Sequence, residues 1–252
     1  MNDIRRFFRY VIPGLIFTLQ IVIYLCISLS PSQLSQVIDK LSNVGAVLSI
    51  FLLSGGLGFL LSTFYHTLYW VRCKWMNRLR VNHRPLIETA IGRGWLRVYN
   101  HNLTPVEEIK NPKAAWRIAT SFWHTHKRET DIIKVAESRI DTLGSTMHGI
   151  GTSLVGTVLS YLAWLSIHWK FYYLTCESVI IVSVLAFIFF VILFSNFLMI
   201  KRDYQSVFEI ISNEQLKADF SAGRISTLHL DEDVNDVFFK RSKKGRKANS
   251  GT

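Results

Sequence analysis

The chain has 252 residues, of which 49% are hydrophobic, and a formal net charge of +11. Its three cysteines, Cys26, Cys73 and Cys176, are too scattered for a disulfide framework or a metal cluster. The positive charge does not by itself indicate nucleic-acid binding, because membrane proteins collect a similar excess on one side of the bilayer.

Four long apolar stretches are the main feature of the sequence, and they cover Tyr10–Leu29, Val44–Val71, Gly149–Ile167 and Ser178–Ile200. Each has about the twenty residues that an α-helix needs to cross a hydrocarbon core of roughly 30 Å. The sequence therefore predicts an all-α, polytopic membrane protein with four transmembrane helices and a cytoplasmic helical extension. Catalysis is not the first expectation for such a chain.

The basic residues are distributed unevenly between these stretches. Three Lys and Arg precede the first stretch, 14 lie from Arg72 to Arg139, and 10 follow Ile200. Positively charged flanks resist translocation, so we expect both termini and the middle segment on the cytoplasmic side of a bacterial inner membrane. The first stretch is too long for the apolar region of a cleavable signal peptide, so we expect it to remain as an anchor.

These features divide the chain into four segments. We predict an N-terminal region with transmembrane helices 1 and 2 (1–71), a cytoplasmic basic helical segment (72–148), transmembrane helices 3 and 4 (149–200), and a cytoplasmic helix with a basic disordered tail (201–252). The last dozen residues have the composition of a solvated tail.

The first apolar stretch contains residues that predict helix contacts. Pro13 and Gly14 suit the first turns of a helix, where the missing N–H of proline is tolerated and glycine permits a close contact. Gln20 lies near mid-membrane, where an unpaired amide is costly, so it should face another helix or a second subunit. Beyond this stretch, Ser30–Gln33 form a capping box that predicts a short outer amphipathic helix.

Small and polar residues recur every four positions in the second and third stretches. They are Ser54, Gly58, Ser62 and His66 in one, and His148, Thr152, Gly156 and Ser160 in the other. Small faces let helices approach closely in lipid, and pairing of these antiparallel helices would place the two histidines at similar depth. We expect the two faces and Gln20 to pack helices within a subunit or across a homo-oligomer. A polar constriction or pH-sensitive gate is the alternative.

The middle segment carries two helix-start signals. Thr104–Glu107 is a capping box that predicts a short helix, and Asn111 with Pro112 predicts the start of the next one. From Lys113 the pattern is helical, and no strong breaker occurs before Gly144. We therefore expect this helix to run into the third transmembrane helix.

Large aromatic residues of the middle segment predict a packed interior. They are Trp116, Phe122 and Trp123. We expect them to pack against Trp95, Trp75 or another subunit rather than to stack on nucleic-acid bases. After the fourth stretch, Lys201–Ala218 should continue as a helix, and Gly223 should end the regular region.

Eight basic side chains are candidates for contact with a partner or with anionic lipid. They are Arg78, Arg80, Arg93, Arg97, Lys243, Lys244, Arg246 and Lys247. We expect membrane lipid, a soluble cytoplasmic protein and other copies of the chain as partners. Nothing in the pattern indicates nucleic acid, although it stays an alternative partner.

Signatures of the common enzyme classes are missing from the sequence. His124 and His126 are two residues apart and point in different directions on a helix, so we predict no metal site, and no cofactor fingerprint occurs. Arg97 and His101 have three residues between them, one fewer than the HEPN ribonuclease motif that they faintly resemble requires. We therefore predict no catalytic residues, with a membrane-tethered helical ribonuclease as an alternative.

The start leading into Pro13–Gly14, the helix that enters the membrane through Leu143–Gly144 and His148, and the helical exit after Ile200 resemble small bacterial four-span membrane proteins, some encoded with phage-defence systems. This resemblance implies a membrane-acting defence component whose cytoplasmic lobe meets a soluble sensor or nuclease. Our leading hypothesis is a non-enzymatic, oligomeric inner-membrane scaffold or membrane-perturbing effector that acts through a cytoplasmic partner. A small-solute or ion channel or transporter is the alternative.

Overall fold

The computed structural model is mostly helical. It describes residues 7–30, 32, 35, 36, 39, 44–70, 79–100, 102–107, 109, 112–125, 131–171 and 176–229. A π-helical turn over Phe7–Val11 leads into α1 (Ile12–Ser28), followed by α2 (Val44–Trp70), α3 (Arg84–Gly92), β1 (Leu96–Tyr99), α4 (Pro112–Thr125), α5 (Asp131–Phe171), α6 (Cys176–Ser221) and β2 (Ser226–His229).

The described residues of all four apolar stretches are almost entirely helical, as the sequence predicts. The first two stretches correspond to α1 and α2, and the third and fourth lie within α5 and α6. Among the described residues, three helical segments are long and apolar enough to cross a membrane, namely Arg9–Ser28, Val135–Ile167 and Cys176–Ser221. The chain therefore has the helices of a membrane protein.

Two compact units make up the chain. The first, here called the bundle, comprises residues 1–80 and 141–203, and the second, the lobe, comprises residues 81–140 and 204–252. Within the described residues, the bundle contains α1, α2 and most of α5 and α6. The lobe contains α3, α4, both strands, the start of α5 and the end of α6.

A helix, a glycine turn and a strand occur in this order twice in the lobe. Gly94 after α3 and Gly223 after α6 have φ angles of +70° and +72°, a left-handed conformation that glycine adopts without strain. In both turns, the N–H of the residue after the glycine donates to a carbonyl of the last helical turn. The two strands then pair in parallel, with Leu96 opposite Ser226.

The lobe has a hydrophobic core of its own. Buried and exposed residues alternate along both strands, so Val98 and Leu228 face inward. An apolar face of α4 joins the same cluster through Ile118 and Phe122, and α6 contributes Phe208. Burial of these side chains away from water is the main force that holds such a core together.

The aromatic residues of α4 lie largely where the sequence predicts. Phe122 and Trp123 are 1% and 3% exposed, and Trp95 packs against the same core. Trp116 is instead 38% exposed. The two buried rings are therefore core residues of the lobe rather than surfaces for base stacking.

The prediction of a short helix from the capping box at Thr104 is wrong. The side chain of Asn100 accepts a hydrogen bond of 2.9 Å from the Thr104 N–H, and Pro105 pairs with Tyr99 in an antiparallel bridge. Asparagine side chains stabilise tight turns in this way and compete with helix formation. The segment consequently doubles back along β1.

Other boundaries agree with the sequence in part. Pro112 begins α4 and α6 continues to Ser221, both as predicted, but β2 follows Gly223, so the regular region does not end there. The predicted outer amphipathic helix falls largely outside the described residues. Trp75, the join between α4 and α5 at 126–130, and the tail from residue 230 also lie outside them.

Candidate functional site: the polar seam of the bundle

Five hydrogen-bonded side chains between helices of the bundle form what we call the polar seam: Gln20, Ser62, His148, Thr157 and Ser160. Gln20 is 1% exposed, and both ends of its amide bind α5. Its Nε2 donates to Thr157 Oγ1 at 3.0 Å, and its Oε1 accepts from Ser160 Oγ at 3.0 Å. An amide satisfied in this way links α1 to α5 without requiring water.

A second part of the polar seam joins α2 to α5. Ser62 Oγ and His148 Nε2 share a hydrogen bond of 2.6 Å, and the Tyr65 ring stands edge-on to the imidazole at 5.1 Å. This distance is within the range for a nucleophile and its general base. Ser62 is only 5% exposed, however, so the geometry is that of a link between packed helices.

More hydrogen bonds continue along α5 beyond the polar seam. Trp164 Nε1 donates to Ser28 Oγ of α1 at 3.0 Å, and the hydroxyls of Tyr161 and Ser183 lie 2.9 Å apart between α5 and α6. Helix α5 rises about 24 Å between His148 and Trp164. It is therefore bonded to each of the other three bundle helices over most of a membrane thickness.

Glycines bring α1 and α2 into backbone contact. A Cβ atom at Gly14 would overlap the backbone of Ser54, and a Cβ atom at Gly58 would overlap the carbonyl oxygen of Tyr10. Gly56 differs, because a Cβ atom there would meet no atom within 4 Å. Close approach of this kind supplies the packing energy that apolar burial cannot supply between helices in lipid.

The two predicted small faces do not pair with each other along their length. Six of their members are buried inside one chain: Ser54, Gly58, Ser62, Thr152, Gly156 and Ser160. Gly156 lies against Leu61 of α2 and Phe17 of α1, and His148 meets Ser62. His66 is exposed, with its ring edge-on to Trp70. Because these faces are filled within one subunit, they do not support the predicted assembly through them, and homo-oligomerisation stays a prediction.

Arg80, one of the predicted partner contacts, makes internal contacts. It is 6% exposed, its Nε donates to the Tyr69 carbonyl oxygen at 2.5 Å, and its guanidinium lies 5.6 Å from the centre of the Trp70 ring. A cation at the C-terminal end of α2 also interacts favourably with the helix dipole. Burial leaves little of this side chain for a partner, and its predicted contact with a partner or anionic lipid stays a prediction.

Arg93 and Arg97 remain exposed on the lobe. The guanidinium of Arg93 lies 4.7 Å from the centre of the Trp95 ring, and Arg97 faces outward from β1. The other basic candidates lie outside the described residues: Arg78, Lys243, Lys244, Arg246 and Lys247. His101 lies outside them as well, so the ribonuclease alternative based on Arg97 and His101 stays a prediction.

Comparison of the chain with protein-family profiles, curated proteins and solved structures gave no match. The architectural resemblance to four-span defence proteins stays a prediction.

Two contributors to the bundle, Thr157 and Tyr65, were not singled out from the sequence. Thr157 continues a face of Ser153 and Ser160 on α5, a three-to-four-residue spacing that offered a usable signal. The contact of Tyr65 with Gly151 offered none, because a Cβ atom at Gly151 would overlap a ring from another helix. Such contacts depend on how the helices are rotated against each other.

Proposed function

We propose that this chain is a non-enzymatic inner-membrane scaffold or effector with four membrane-crossing helices, which acts through a soluble cytoplasmic protein bound by its lobe. In this proposal α1, α2, α5 and α6 cross the bilayer. The 27 residues of α2 correspond to about 40 Å of helix, and Leu52, Leu53 and Leu60 on its outer face are all more than 60% exposed. The excess of basic residues on one side supports cytoplasmic termini and a cytoplasmic lobe.

The observation that carries the non-catalytic proposal is the pairing of polar groups within the polar seam. Gln20 uses both its donor and its acceptor on α5, and His148 pairs with Ser62. Polar groups that hydrogen-bond to one another hold helices together, and they have fewer donors and acceptors left to bind a substrate or a permeating ion. The polar seam therefore supports a structural role for the bundle.

The lobe is the proposed docking unit. It has a closed hydrophobic core and presents the exposed cations Arg93 and Arg97. Charged residues at a rim act mainly on the rate and specificity of association. A soluble partner with an acidic surface fits this arrangement.

Affinity capture of the native membrane complex tests the docking role. The double variant Arg93→Glu with Arg97→Glu should lose a specifically captured soluble protein, because charge reversal repels an acidic surface. Lys217→Glu is the matched control, since it reverses an exposed charge on α6. Equal capture by wild type, the double variant and the control would refute the proposed docking surface.

A channel or transporter is the second candidate, and the line of polar side chains along α5 favours it. Ion flux in reconstituted vesicles separates the two functions. Steady flux without a partner supports a channel, whereas flux that begins only when the partner is added supports a membrane-perturbing effector. No flux in either case supports a scaffold.

The short distance between Ser62 and His148 makes a serine hydrolase testable as well. We expect no labelling of Ser62 by a fluorophosphonate probe in the folded chain, since the hydroxyl is enclosed. For the ribonuclease alternative, RNA degradation by wild type that is lost in Arg97→Ala would support an enzyme. The antiviral setting is a proposal based on the resemblance alone, and protection of cells from phage would test it.

A further inference from the structure

A cavity of about 280 Å³ lies between α2, α5 and α6 of the bundle. Its walls are apolar, and they include Phe64, Tyr65, Leu154, Val158, Phe190 and Phe194. An apolar cavity of about 150 Å³ is already large enough for benzene. This cavity therefore has room for a segment of a hydrocarbon chain.

One wall of the cavity depends on the contact between Tyr65 and Gly151. The Tyr65 ring occupies the space that a side chain at position 151 would take, and it also packs against the His148 ring at 5.1 Å and the Tyr69 ring at 5.7 Å. At the rim, Val158 and Phe190 are 45% and 36% exposed. The cavity thus opens on the same apolar surface that α5 and α6 present outward.

A line of residues on α6 connects the cavity to positive charge. Phe190, Phe194 and Phe197 line the cavity, and Lys201 continues the same three-to-four-residue spacing, so it lies on the same helix face about 6 Å beyond Phe197. Arg202 follows and is exposed. Arg202 and Asp203 lie about 100° and about 200° round the helix from Lys201, so the carboxylate of Asp203 is on the opposite side of α6.

Aromatic groups of α2 and the guanidinium of Arg80, which lies beyond the end of α2, contact each other beside the cavity. Tyr69 lines the cavity, and the Arg80 guanidinium lies over the rings of Tyr69 and Trp70. Tyr and Trp with Arg and Lys are typical of the level where lipid headgroups meet the hydrocarbon core. Apolar walls that end in cations match a molecule with a hydrocarbon chain and a negatively charged head.

We propose that this cavity binds one acyl chain of an anionic phospholipid, whose phosphate lies beside Lys201 and Arg202. The inference rests on the membrane-spanning part of the proposed function and adds a specific lipid site to it. Cations favour anionic over zwitterionic headgroups, so the site should select phosphatidylglycerol over phosphatidylethanolamine.

Native mass spectrometry of the full chain in mild detergent tests the site. After delipidation, phosphatidylglycerol or phosphatidylethanolamine is added back at equal concentration and the bound fraction is measured. We expect Val155→Phe, which fills the cavity, to lower retention of phosphatidylglycerol at least tenfold. Leu162→Phe is the matched control, because Leu162 is 49% exposed on α5 and does not line the cavity.

A charge variant tests the headgroup contact separately. Lys201→Gln and Arg202→Gln should each reduce the preference for phosphatidylglycerol over phosphatidylethanolamine about fivefold. Retention of phosphatidylethanolamine should change little in these variants, since the acyl-chain walls are intact. Circular dichroism and thermal unfolding verify the fold, and Val158→Phe at the rim replaces Val155→Phe if the latter does not fold.

Three results would overturn the inference. One is equal retention of both lipids by wild type, with no difference between the cavity-filling variant and Leu162→Phe. A second is a change of oligomer mass in Val155→Phe without any change of lipid retention. That result would mean that a second copy of the chain fills the cavity. A chain that fractionates with membranes and captures its soluble partner, but retains no lipid, would refute this inference alone.

Discussion

The bundle and the lobe distribute polar and apolar side chains differently between interior and surface. In the bundle, Gln20, Ser54 and Thr152 are at most 1% exposed, while Leu52 and Phe187 are more than 60% exposed. In the lobe, apolar side chains such as Phe122 fill the interior. The difference is the one expected for a bundle surrounded by lipid and a lobe surrounded by water, because apolar burial drives folding only where water surrounds the protein.

The largest expected loss of stability comes from a substitution at a glycine that brings two helices of the bundle into backbone contact. Gly58→Leu should prevent α1 from packing on α2 and cost more than about 5 kcal/mol, since even a Cβ atom would overlap the Tyr10 carbonyl oxygen. Gly56→Leu should stay within about 0.5 kcal/mol, because the space around Gly56 is open. Unfolding in mixed micelles measures both, and equal stabilities would contradict the close contact.

The next effect should come from the hydrophobic core of the lobe. Phe122→Ala should destabilise the lobe by about 3–5 kcal/mol, because it leaves a cavity beside Phe208 and Ile118. Ile210→Ala is the control, since Ile210 is 64% exposed. Urea unfolding of the chain in detergent provides the comparison. A small loss in Phe122→Ala would mean that the lobe is not held together by this core.

Acid should destabilise the lobe through His83. Burial lowers the pKa of His83 from its ordinary 6.5 to about 4, and its ring packs against Phe208 with the centroids 4.8 Å apart. The unfolded chain therefore binds a proton at a higher pH than the native chain does. The contribution of neutral His83 to the free energy of unfolding should be fully present above about pH 6.5. The free energy of unfolding should fall by up to about 3 kcal/mol as the pH decreases to about 4.

Urea unfolding at a series of pH values, with tryptophan fluorescence as the readout, measures this dependence. His83→Phe should reduce the slope between pH 6.5 and pH 4, because the ring keeps its packing and loses its titratable group. His229→Gln should keep the wild-type slope, since His229 is exposed. An unchanged slope in His83→Phe would assign the acid sensitivity to other groups.

The smallest effect should be at the polar seam itself. Gln20→Leu should cost about 1 kcal/mol, because Thr157 and Ser160 can still donate to carbonyls of their own helix. A double-mutant cycle with Ser160→Ala in mixed micelles isolates the interhelical hydrogen bond. Asn196→Leu is the control, as Asn196 is exposed and its side-chain amide donates to the Ile192 carbonyl oxygen of its own helix. A coupling of zero would mean that the hydrogen bonds of Gln20 do not hold α1 to α5.

Predictions that depend on a few neighbouring residues succeeded more often than predictions of pairing. Pro112 starts a helix because its fixed φ suits the first helical position, wherever the helix later packs. The capping box at Thr104 failed because Asn100 offered the same backbone groups a competing turn. The parallel contact of β1 with β2 joins segments that are far apart in the chain, so no local pattern could reveal it.

The candidate site shows the same limit. A buried partner for Gln20 followed from the cost of an unpaired amide in lipid, but its identity as Thr157 and Ser160 did not. The small faces were recognised from their spacing, whereas their use within one chain required the rotation of every helix. The order of the apolar stretches and the one-sided charge were determined by the sequence, because transfer into lipid is a sum of local contributions. The tertiary structure decided which side chains meet, since hydrogen bonds and close contacts depend on the relative positions of distant residues.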